Sequence, residues 1–457
     1  MLFSSFTFIS VFLPLVCAFY FLLRRWKNIV LLAASLVFYA WGEPRYLPVI
    51  LSTVLLAWIG GILLTKTSWR KTVLGLAVAL QICCLFYFKY VDFFLLNLNV
   101  FFGTGFNLLK LALPIGVSFY SFKAVSYLTD VFRKEANPRK NILDVALYLM
   151  LFPQVLAGPI TRYKDLDAQI TDRHETMEDV SYGIRRFIIG LGKKMFIGNA
   201  MGMVADKVFA LPVTEFDTVT AWIGAVAYMM QIYYDFSGYS DMAIGLCRIF
   251  GFKVPENFNY PYISASISEF WRRWHISLGD WFKHYLYIPL GGNRVSKIRN
   301  AFNLFFVFLM TGIWHGANWT FIVWGVFNGV LVVFEKLCFK TEGKRLFKHL
   351  YALLAILLGW VVFRSDNLSY AGDYIRRMFG LYGPVDRYAE YSYFVDNFEI
   401  MMFALACLFS MPVVRNLLPE KKGETGFILD VGLLILFVAS IFAIAASTYN
   451  PFIYFKF

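Results

Sequence analysis

Long runs of apolar residues, separated by short polar turns, recur along the whole chain of 457 residues. A helix needs roughly 20 apolar residues to cross the hydrocarbon core of a bilayer. The runs of comparable length are 3–23, 28–41, 46–65, 72–90, 142–160, 218–250, 317–339, 350–364, 397–411 and 427–447. Together with a less regular stretch at 110–131, this pattern predicts an all-α, polytopic integral membrane protein with about eleven transmembrane helices.

Two segments depart from uninterrupted apolar runs. The stretch 110–131 begins with a break at Pro114 and Gly116 and carries several serines and Lys123. Irregular backbone at membrane depth is tolerated only where it lines a cavity or is buried in protein, so a re-entrant element or a broken helix is predicted. Segment 181–210 mixes apolar residues with pairs of arginines and lysines, which predicts a helix that lies partly in the membrane interface.

Composition agrees with this class, because 59% of the residues are hydrophobic, only 16% are charged, and the mean hydropathy is +0.59. The net charge of +13 would suit a nucleic-acid-binding protein, but basic residues cluster at 24–27, 66–71 and 133–140. An even number of apolar segments separates successive clusters, so all three lie on one face, which the positive-inside rule assigns to the cytoplasm. We expect a multi-pass protein with an extracytoplasmic N-terminus, the lipid bilayer as a partner, and no nucleic acid.

The first candidate for chemistry is His275, which lies within residues 267–281. Four residues of this segment form an apolar stripe at helical spacing: Trp271, Trp274, Leu278 and Trp281. Such a stripe predicts an amphipathic helix at the membrane–water boundary. The alternative is a plain interfacial anchor whose His275 is merely solvated.

The second candidate is His315, a single ionisable group between two strongly apolar stretches. Ionisable groups inside a membrane are costly and usually functional, although a histidine bonded to a carbonyl is the alternative. Gly312 and Gly316 flank it, so neighbouring helices or a substrate can approach the ring. No HExxH or carboxylate cluster accompanies it, and no metal site is predicted. Without a GxSxG elbow or a nearby thiol, general-base catalysis remains, in which a neutral, desolvated imidazole accepts the proton of an attacking alcohol.

Five strings of residues carry a resemblance to a known family: Gln231–Leu246 (QIYYDFSGYSDMAIGL), Phe270–Leu278 (FWRRWHISL), Tyr287–Arg294 (YIPLGGNR), Trp314–Trp319 (WHGANW) and the tail Asn450–Phe457 (NPFIYFKF). In this order and combination, the chain resembles the membrane-bound O-acyltransferases, and within them the bacterial alginate O-acetyltransferase branch that modifies exopolysaccharides. The similarity covers most of the chain.

The resemblance implies a single domain over residues 1–457, with N-terminal spans in 1–100, a catalytic core in 110–340 and C-terminal spans in 350–457. It implies a ring of tilted helices around a central tunnel. The family's catalytic histidine maps onto His315, and its second site position maps onto His275, 40 residues earlier. The remaining site residues expected at the tunnel or substrate are Gln231, Asp235, Ser240, Asp241, Arg272, Arg273, Trp314 and Asn318.

Alternatives stay open for several of these residues. The polar residues from Gln231 to Asp241 would line the tunnel or satisfy hydrogen bonds between helices. Arg272 and Arg273 would contact donor phosphates or lipid headgroups.

The resemblance also implies the reaction and its partners. An acyl thioester such as acetyl-CoA would donate acetyl from the cytoplasm as a substrate, with no bound cofactor, for O-acetylation of an extracytoplasmic polysaccharide. An exported acetyltransferase of the serine-hydrolase type would be the partner, and the bacterial inner membrane the location. The alternatives are a D-alanyl transferase of the teichoic acid type, which the Leu290–Arg294 string disfavours, and a non-enzymatic transporter, which the lack of repeated halves disfavours.

Overall fold

The computed structural model describes residues 1–338, 345–385, 393–413, 424–447 and 449–452. Within these ranges the chain is helical, and the only β-bridge is an isolated antiparallel pair between Phe258 and Trp274. The end of the predicted tail string, residues 453–457, lies outside the described residues. The prediction of an all-α polytopic membrane protein is confirmed. The chain divides into two compact units, which are described separately below.

Unit 1 comprises residues 1–187 and 240–256. Its helices are α1 (Leu13–Leu22), α2 (Lys27–Gly42), α3 (Leu47–Lys66), α4 (Arg70–Lys89), α5 (Val91–Phe102), α6 (Val117–Arg133), α7 (Ile142–Met150), α8 (Phe152–Val155), α9 (Tyr163–Thr171), and parts of α10 (Met177–Gly192) and α12 (Thr218–Ile249). Phe8, Phe12, Phe38 and Phe152 pack ring against ring in its core, which buries large apolar surfaces.

The predicted break at 110–131 lies at Gly116, which has a left-handed backbone with φ of 75°. A Cβ at this position would collide with the carbonyl oxygen of Val155, so glycine is required. Helix α6 then runs unbroken, and its polar residues are buried inside unit 1. The ammonium of Lys123, for example, donates to Gln154 Oε1 at 3.2 Å. The polar residues of this segment are therefore buried in protein, one of the two environments that irregular backbone requires.

Unit 2 comprises residues 188–239 and 257–457. Besides parts of α10 and α12, its helices are α11 (Asn199–Phe209), α13 (Ile267–Arg273), α14 (Ile276–Phe282), α15 (Lys297–His315), α16 (Trp319–Cys338), α17 (Arg345–Arg364), α18 (Leu368–Met378), α19 (Asn397–Phe409) and α20 (Glu424–Ala446). Its core includes the fully buried side chains of Tyr234, Trp324 and Trp360.

The α15–α16 hairpin is the tightest helix pair of unit 2, because glycines meet where the helices cross. A Cβ on Gly312 would lie 2.9 Å from the Cα of Gly325, and it would collide with the carbonyl oxygen of Phe321. Gly316 is similarly covered by the Phe321 ring. The predicted close approach beside His315 is therefore present, and it fixes the end of α15 against α16.

Six helical segments in the described residues are long and apolar enough to cross a membrane: Pro44–Lys66, Arg70–Lys89, Met177–Phe209, Trp319–Cys338, Arg345–Arg364 and Gly426–Ala446. A seventh span is present if Phe8–Leu22 and Arg24–Gly42, bent by 106°, act as one. The sequence-based number was larger because it counted shorter apolar segments and also 218–250, whose long helix α12 is not among these six. Residues 142–160, for instance, form the short helices α7 and α8 and are almost entirely buried in protein.

The segment 181–210 also differs from its prediction as an interfacial helix. It belongs to a helical run of 33 residues whose apolar part is 72% buried within the protein. Two of its charges are paired inside their units: Arg186 contacts Asp241 at 2.7 Å in unit 1, and Lys194 contacts Asp235 at 2.7 Å in unit 2. Partners inside the fold remove the need for headgroup or water contact.

Candidate functional site

His315 is the last residue of α15, and its half-buried ring lies in an aromatic cage. The ring centroids of Trp314, Trp324 and Phe363 lie 5.0, 5.3 and 5.1 Å from it, each in an edge-on arrangement. Gly316 follows in an extended conformation and ends the helix. The cage limits the freedom of the imidazole, and His315 remains partly exposed.

His275 does not lie on the single amphipathic helix predicted for 267–281. The helix stops at Arg273 and restarts at Ile276, because Trp274 pairs with Phe258 and the backbone of His275 is left-handed with φ of 45°. The His275 side chain is only 3% exposed, so the solvated-anchor interpretation is wrong. A non-glycine residue held in this strained conformation requires strong support from its surroundings.

Asn257 supplies that support and determines which nitrogen of His275 carries the proton. Its Oδ1 accepts hydrogen bonds from the backbone N–H of Ser277 at 3.3 Å and from the Ser277 hydroxyl at 2.9 Å. The same oxygen lies 3.0 Å from His275 Nδ1, which must therefore be the donor. The lone pair of the neutral ring then belongs to Nε2. That atom is buried and has no hydrogen-bond partner among the described residues.

The two histidines meet at Trp314. Its ring centroid lies 5.0 Å from that of His315 and 6.2 Å from that of His275. The ring of Phe236 also packs against His275, with the two centroids 4.7 Å apart. Burial lowers the pKa of His275 to about 3, so this ring is neutral at physiological pH. The tertiary structure of unit 2 thus brings both predicted histidines and Trp314 into one aromatic cluster.

A cavity of about 910 Å³ is lined by Trp271 and Ile276, among others, and it distinguishes the two neighbouring arginines. Arg272 lines the cavity and forms no ion pair with the described residues. Arg273 instead pairs with Glu269 at 3.0 Å and donates to the carbonyl oxygen of Asn259 at 3.1 Å. Trp271 connects the cavity to the histidines, because its ring contacts Trp324, which in turn contacts His315.

The cavity lining carries four basic side chains, Arg272, Lys283, Lys336 and Lys348, against the three acids Glu269, Asp280 and Glu335. Glu269 binds Arg273, Glu335 accepts the backbone N–H groups of Ile267 and Ser268, and Asp280 contacts the ring of His284. Within the described part of the chain, neither Arg272 nor Lys283 has a carboxylate partner. The excess of basic side chains therefore favours an anionic ligand in this space.

The other predicted site residues have structural contacts away from the histidines. Asp235 binds Lys194, and the buried Gln231 packs against Gly202. Ser240 and Asp241 fall in unit 1, where Asp241 binds Arg186. Asn318 donates to the carbonyl oxygen of Asp366 at 2.9 Å and accepts from the backbone N–H of Thr320 at 3.1 Å, which anchors the start of α16.

Sequence reasoning missed Asn257, Trp324 and Lys283. Asn257 lies 18 residues before His275, in a loop with no periodicity, so no local signal connects the two. Trp324 belongs to an apolar span, where an aromatic residue is unremarkable. For the described residues, no group of three or more histidines, cysteines or acids is arranged to hold a metal ion.

Comparisons with known proteins give one family and several relatives. A sequence model of the MBOAT, or membrane-bound O-acyltransferase, family matches residues 47–357. The chain is 40% identical to the probable alginate O-acetylase AlgI of Pseudomonas putida over the full length of both proteins. It is 35% identical to the peptidoglycan O-acetyltransferase of Helicobacter pylori, over 84% of this chain and 80% of that protein. It is 33% identical to the teichoic acid D-alanyltransferase of Bacillus subtilis, over 49% of this chain and 60% of that protein.

Proposed function

Because this chain belongs to the membrane-bound O-acyltransferase family, we propose that it takes acetyl from a cytoplasmic thioester and exports it for O-acetylation of an extracytoplasmic polysaccharide. The chain is a multi-pass membrane O-acyltransferase; the donor, the direction of transfer and the acceptor are what is proposed here. The observation that carries the proposal is the pair of histidines on one tryptophan, beside a basic cavity.

His315 is the general base of this proposal. An acceptor hydroxyl attacks the carbonyl carbon of the thioester, and the imidazole takes its proton as the new C–O bond forms. The C–S bond then breaks, and the thiolate leaves with a proton returned from the imidazolium. The partial exposure of His315 supports this role, since the reacting hydroxyl must come within hydrogen-bond distance of a ring nitrogen.

His275 is a positioning group in this scheme. With Nδ1–H held by Asn257, its buried Nε2 offers only a lone pair, which would accept a hydrogen bond from the incoming hydroxyl or from a water. Such a contact would orient the hydroxyl oxygen toward the thioester carbon. The burial of His275 favours orientation over proton transfer, because charging the ring there is costly.

The basic cavity is the proposed site for the phosphates of the donor, whether coenzyme A or another phosphate-bearing thioester. Arg272 and Lys283 would bind phosphate oxygens, since neither is neutralised by a described acid. The basic clusters at 24–27, 66–71 and 133–140 support an extracytoplasmic N-terminus in the cell membrane. As the resemblance implies, an exported serine-hydrolase-like acetyltransferase would finally modify the polysaccharide.

Loss of His315 tests the reaction. In cells that depend on this chain for polysaccharide O-acetylation, His315→Gln should lower the acetyl content per sugar roughly 10²- to 10⁴-fold, which is the rate contribution of a general base. His174→Gln is the matched control, because that side chain is 89% exposed. Protein abundance and elution from a sizing column must equal wild type in both variants. Full acetylation by a normally abundant His315→Gln protein would exclude the general-base role.

The two adjacent arginines form a matched test of the donor site. Arg272→Gln should raise the concentration of acetyl-CoA needed for half-maximal acetylation about tenfold, since a charge-assisted hydrogen bond contributes about 1.5–3 kcal/mol. Arg273→Gln should instead lower thermal stability, because it leaves Glu269 without its partner, and should leave the donor dependence unchanged. Equal donor dependence in Arg272→Gln and wild type would contradict the phosphate site.

A further inference from the structure

A second cavity of about 550 Å³ opens on the surface of unit 2, beside α12, α17 and α19. Its walls are mainly apolar and are formed by Met229, Met230, Leu346, Leu353 and Met411, among others. None of the residues around His315, and none of the residues lining the basic cavity, contributes to this groove. It is therefore a separate binding space, of a volume typical of sites for small organic ligands.

One end of the groove is basic. Arg345 is the first residue of α17, and His349 follows one helical turn later, so both side chains lie at the positive end of the helix dipole. His349 Nδ1 donates to the carbonyl oxygen of Ser264 at 2.9 Å, which orients its other nitrogen. Arg345 makes no ion pair with the described residues; its charge acts on Glu269, and that carboxylate is bound by Arg273.

These two features together specify the chemistry of the occupant. An apolar trough with a cationic end matches a hydrocarbon chain that carries an anionic head. A free phosphate would leave the apolar walls unfilled, and a zwitterionic lipid would leave the arginine only partly neutralised. Three methionines supply a flexible surface that adapts to chains of different length and unsaturation. The helix that begins at Arg345 is itself a candidate membrane span, which gives the groove direct access to lipid.

We propose that this groove binds one anionic phospholipid, with its phosphate at Arg345 and His349 and one acyl chain along Leu353 and the methionines. The lipid would hold the end of α17 against α12 and α19 within unit 2, because its chain fills the space between their side chains. This site does not depend on the acyl-transfer reaction.

The test uses the full chain, purified in a mild non-ionic detergent and titrated with phosphatidylglycerol or phosphatidylcholine. Native mass spectrometry counts the lipids retained per protein. Wild type should retain one phosphatidylglycerol, with phosphatidylcholine at least about fivefold weaker. Arg345→Gln should weaken phosphatidylglycerol binding about fivefold, the effect of removing roughly one basic side chain near an anionic headgroup.

A pair of neighbouring substitutions separates the groove from ordinary annular lipid. Leu353→Trp fills the groove and should abolish retention, whereas Leu354→Trp, on the exposed side of the same helix, should leave it unchanged. Melting temperatures of the two variants show whether both remain folded. Equal retention of the two lipids, equal loss in both tryptophan variants, or displacement by soluble glycerol phosphate alone would each overturn the proposal. Arg345→Gln keeps it falsifiable should Leu353→Trp fail to fold.

Discussion

The buried ion pair between Lys194 and Asp235 allows a sharp test of whether Asp235 belongs to the fold or to the reaction. The two side chains are 3% and 2% exposed, and Nζ lies 2.7 Å from Oδ1. Lys194 stands in a π-helical turn, Lys193–Gly198, and also donates to Asn199 Oδ1 at 2.8 Å and to the carbonyl oxygen of Pro451. The ammonium thus has a complete set of acceptors inside unit 2.

The magnitude follows from these contacts. At 2.7 Å and an effective dielectric constant of about 20, the attraction is about 6 kcal/mol, which offsets the cost of burying two charges. Asp235→Asn keeps the shape but leaves the lysine charge buried without a carboxylate, so it should destabilise the protein by roughly 3–5 kcal/mol. The double variant Lys194→Met/Asp235→Leu removes both charges and should recover most of that loss, as apolar replacements of buried pairs often do.

Melting temperature in detergent and cellular O-acetylation are measured together on the single variants Asp235→Asn and Lys194→Met and on the double variant. We expect both single variants to lose melting temperature and acetylation, and the double variant to regain both. Asp373→Asn is the control, because its partner Arg376 is largely exposed and such pairs contribute only about 0–1 kcal/mol. A double variant that is stable but inactive would refute the structural assignment and return Asp235 to the reaction.

Three further predictions follow from the site. Gly312→Ala should push α15 away from α16 and lower acetylation at least about tenfold by misplacing His315. Gly432→Ala is the control and should leave acetylation unchanged, because a Cβ there meets open space; comparable activity of the two variants would contradict the prediction. Asn257→Ala should lower acetylation about tenfold, which corresponds to the loss of about one hydrogen bond. Asn257→Asp should partly restore acetylation, because a carboxylate also accepts a hydrogen bond from His275 Nδ1–H; no recovery would contradict the assigned tautomer. The folded pKa of His275, about 3, lies below its unfolded value near 6.5, so the contribution of the neutral, buried ring to stability is complete only above the unfolded pKa. The free energy of unfolding should therefore fall by about 2 kcal/mol from pH 7.5 to 5. Chemical denaturation of wild type should show this extra loss relative to His275→Asn, and parallel pH curves would contradict it.

The sequence alone determined the class of protein and singled out two candidate histidines. Apolar runs of spanning length, sparse charge and clustered basic residues are properties of the chain itself, since a bilayer selects helices by local composition. The ordered strings around His275 and His315 pointed to the family before any geometry was known. Gly312 and Gly316 also signalled close helix packing, because glycine beside an ionisable residue has few other uses within a span.

Only the tertiary structure decided which contacts those segments and residues make. Residues 142–160 are as apolar as a span but are buried in protein, and hydropathy cannot distinguish a lipid neighbour from a protein neighbour. Helical spacing likewise predicted one helix through His275, where a bridge between Phe258 and Trp274 breaks the backbone.

The partners of charged residues are the second thing that sequence could not supply. Arg272 and Arg273 are adjacent and chemically identical, yet one lines a basic cavity and the other is bound by Glu269. For Asp235 the sequence left a tunnel position and a contact between helices open, and the structure adds its partner Lys194, which lies far from it along the chain. Pairing depends on distances between segments remote in sequence, and local pattern carries no information about such distances.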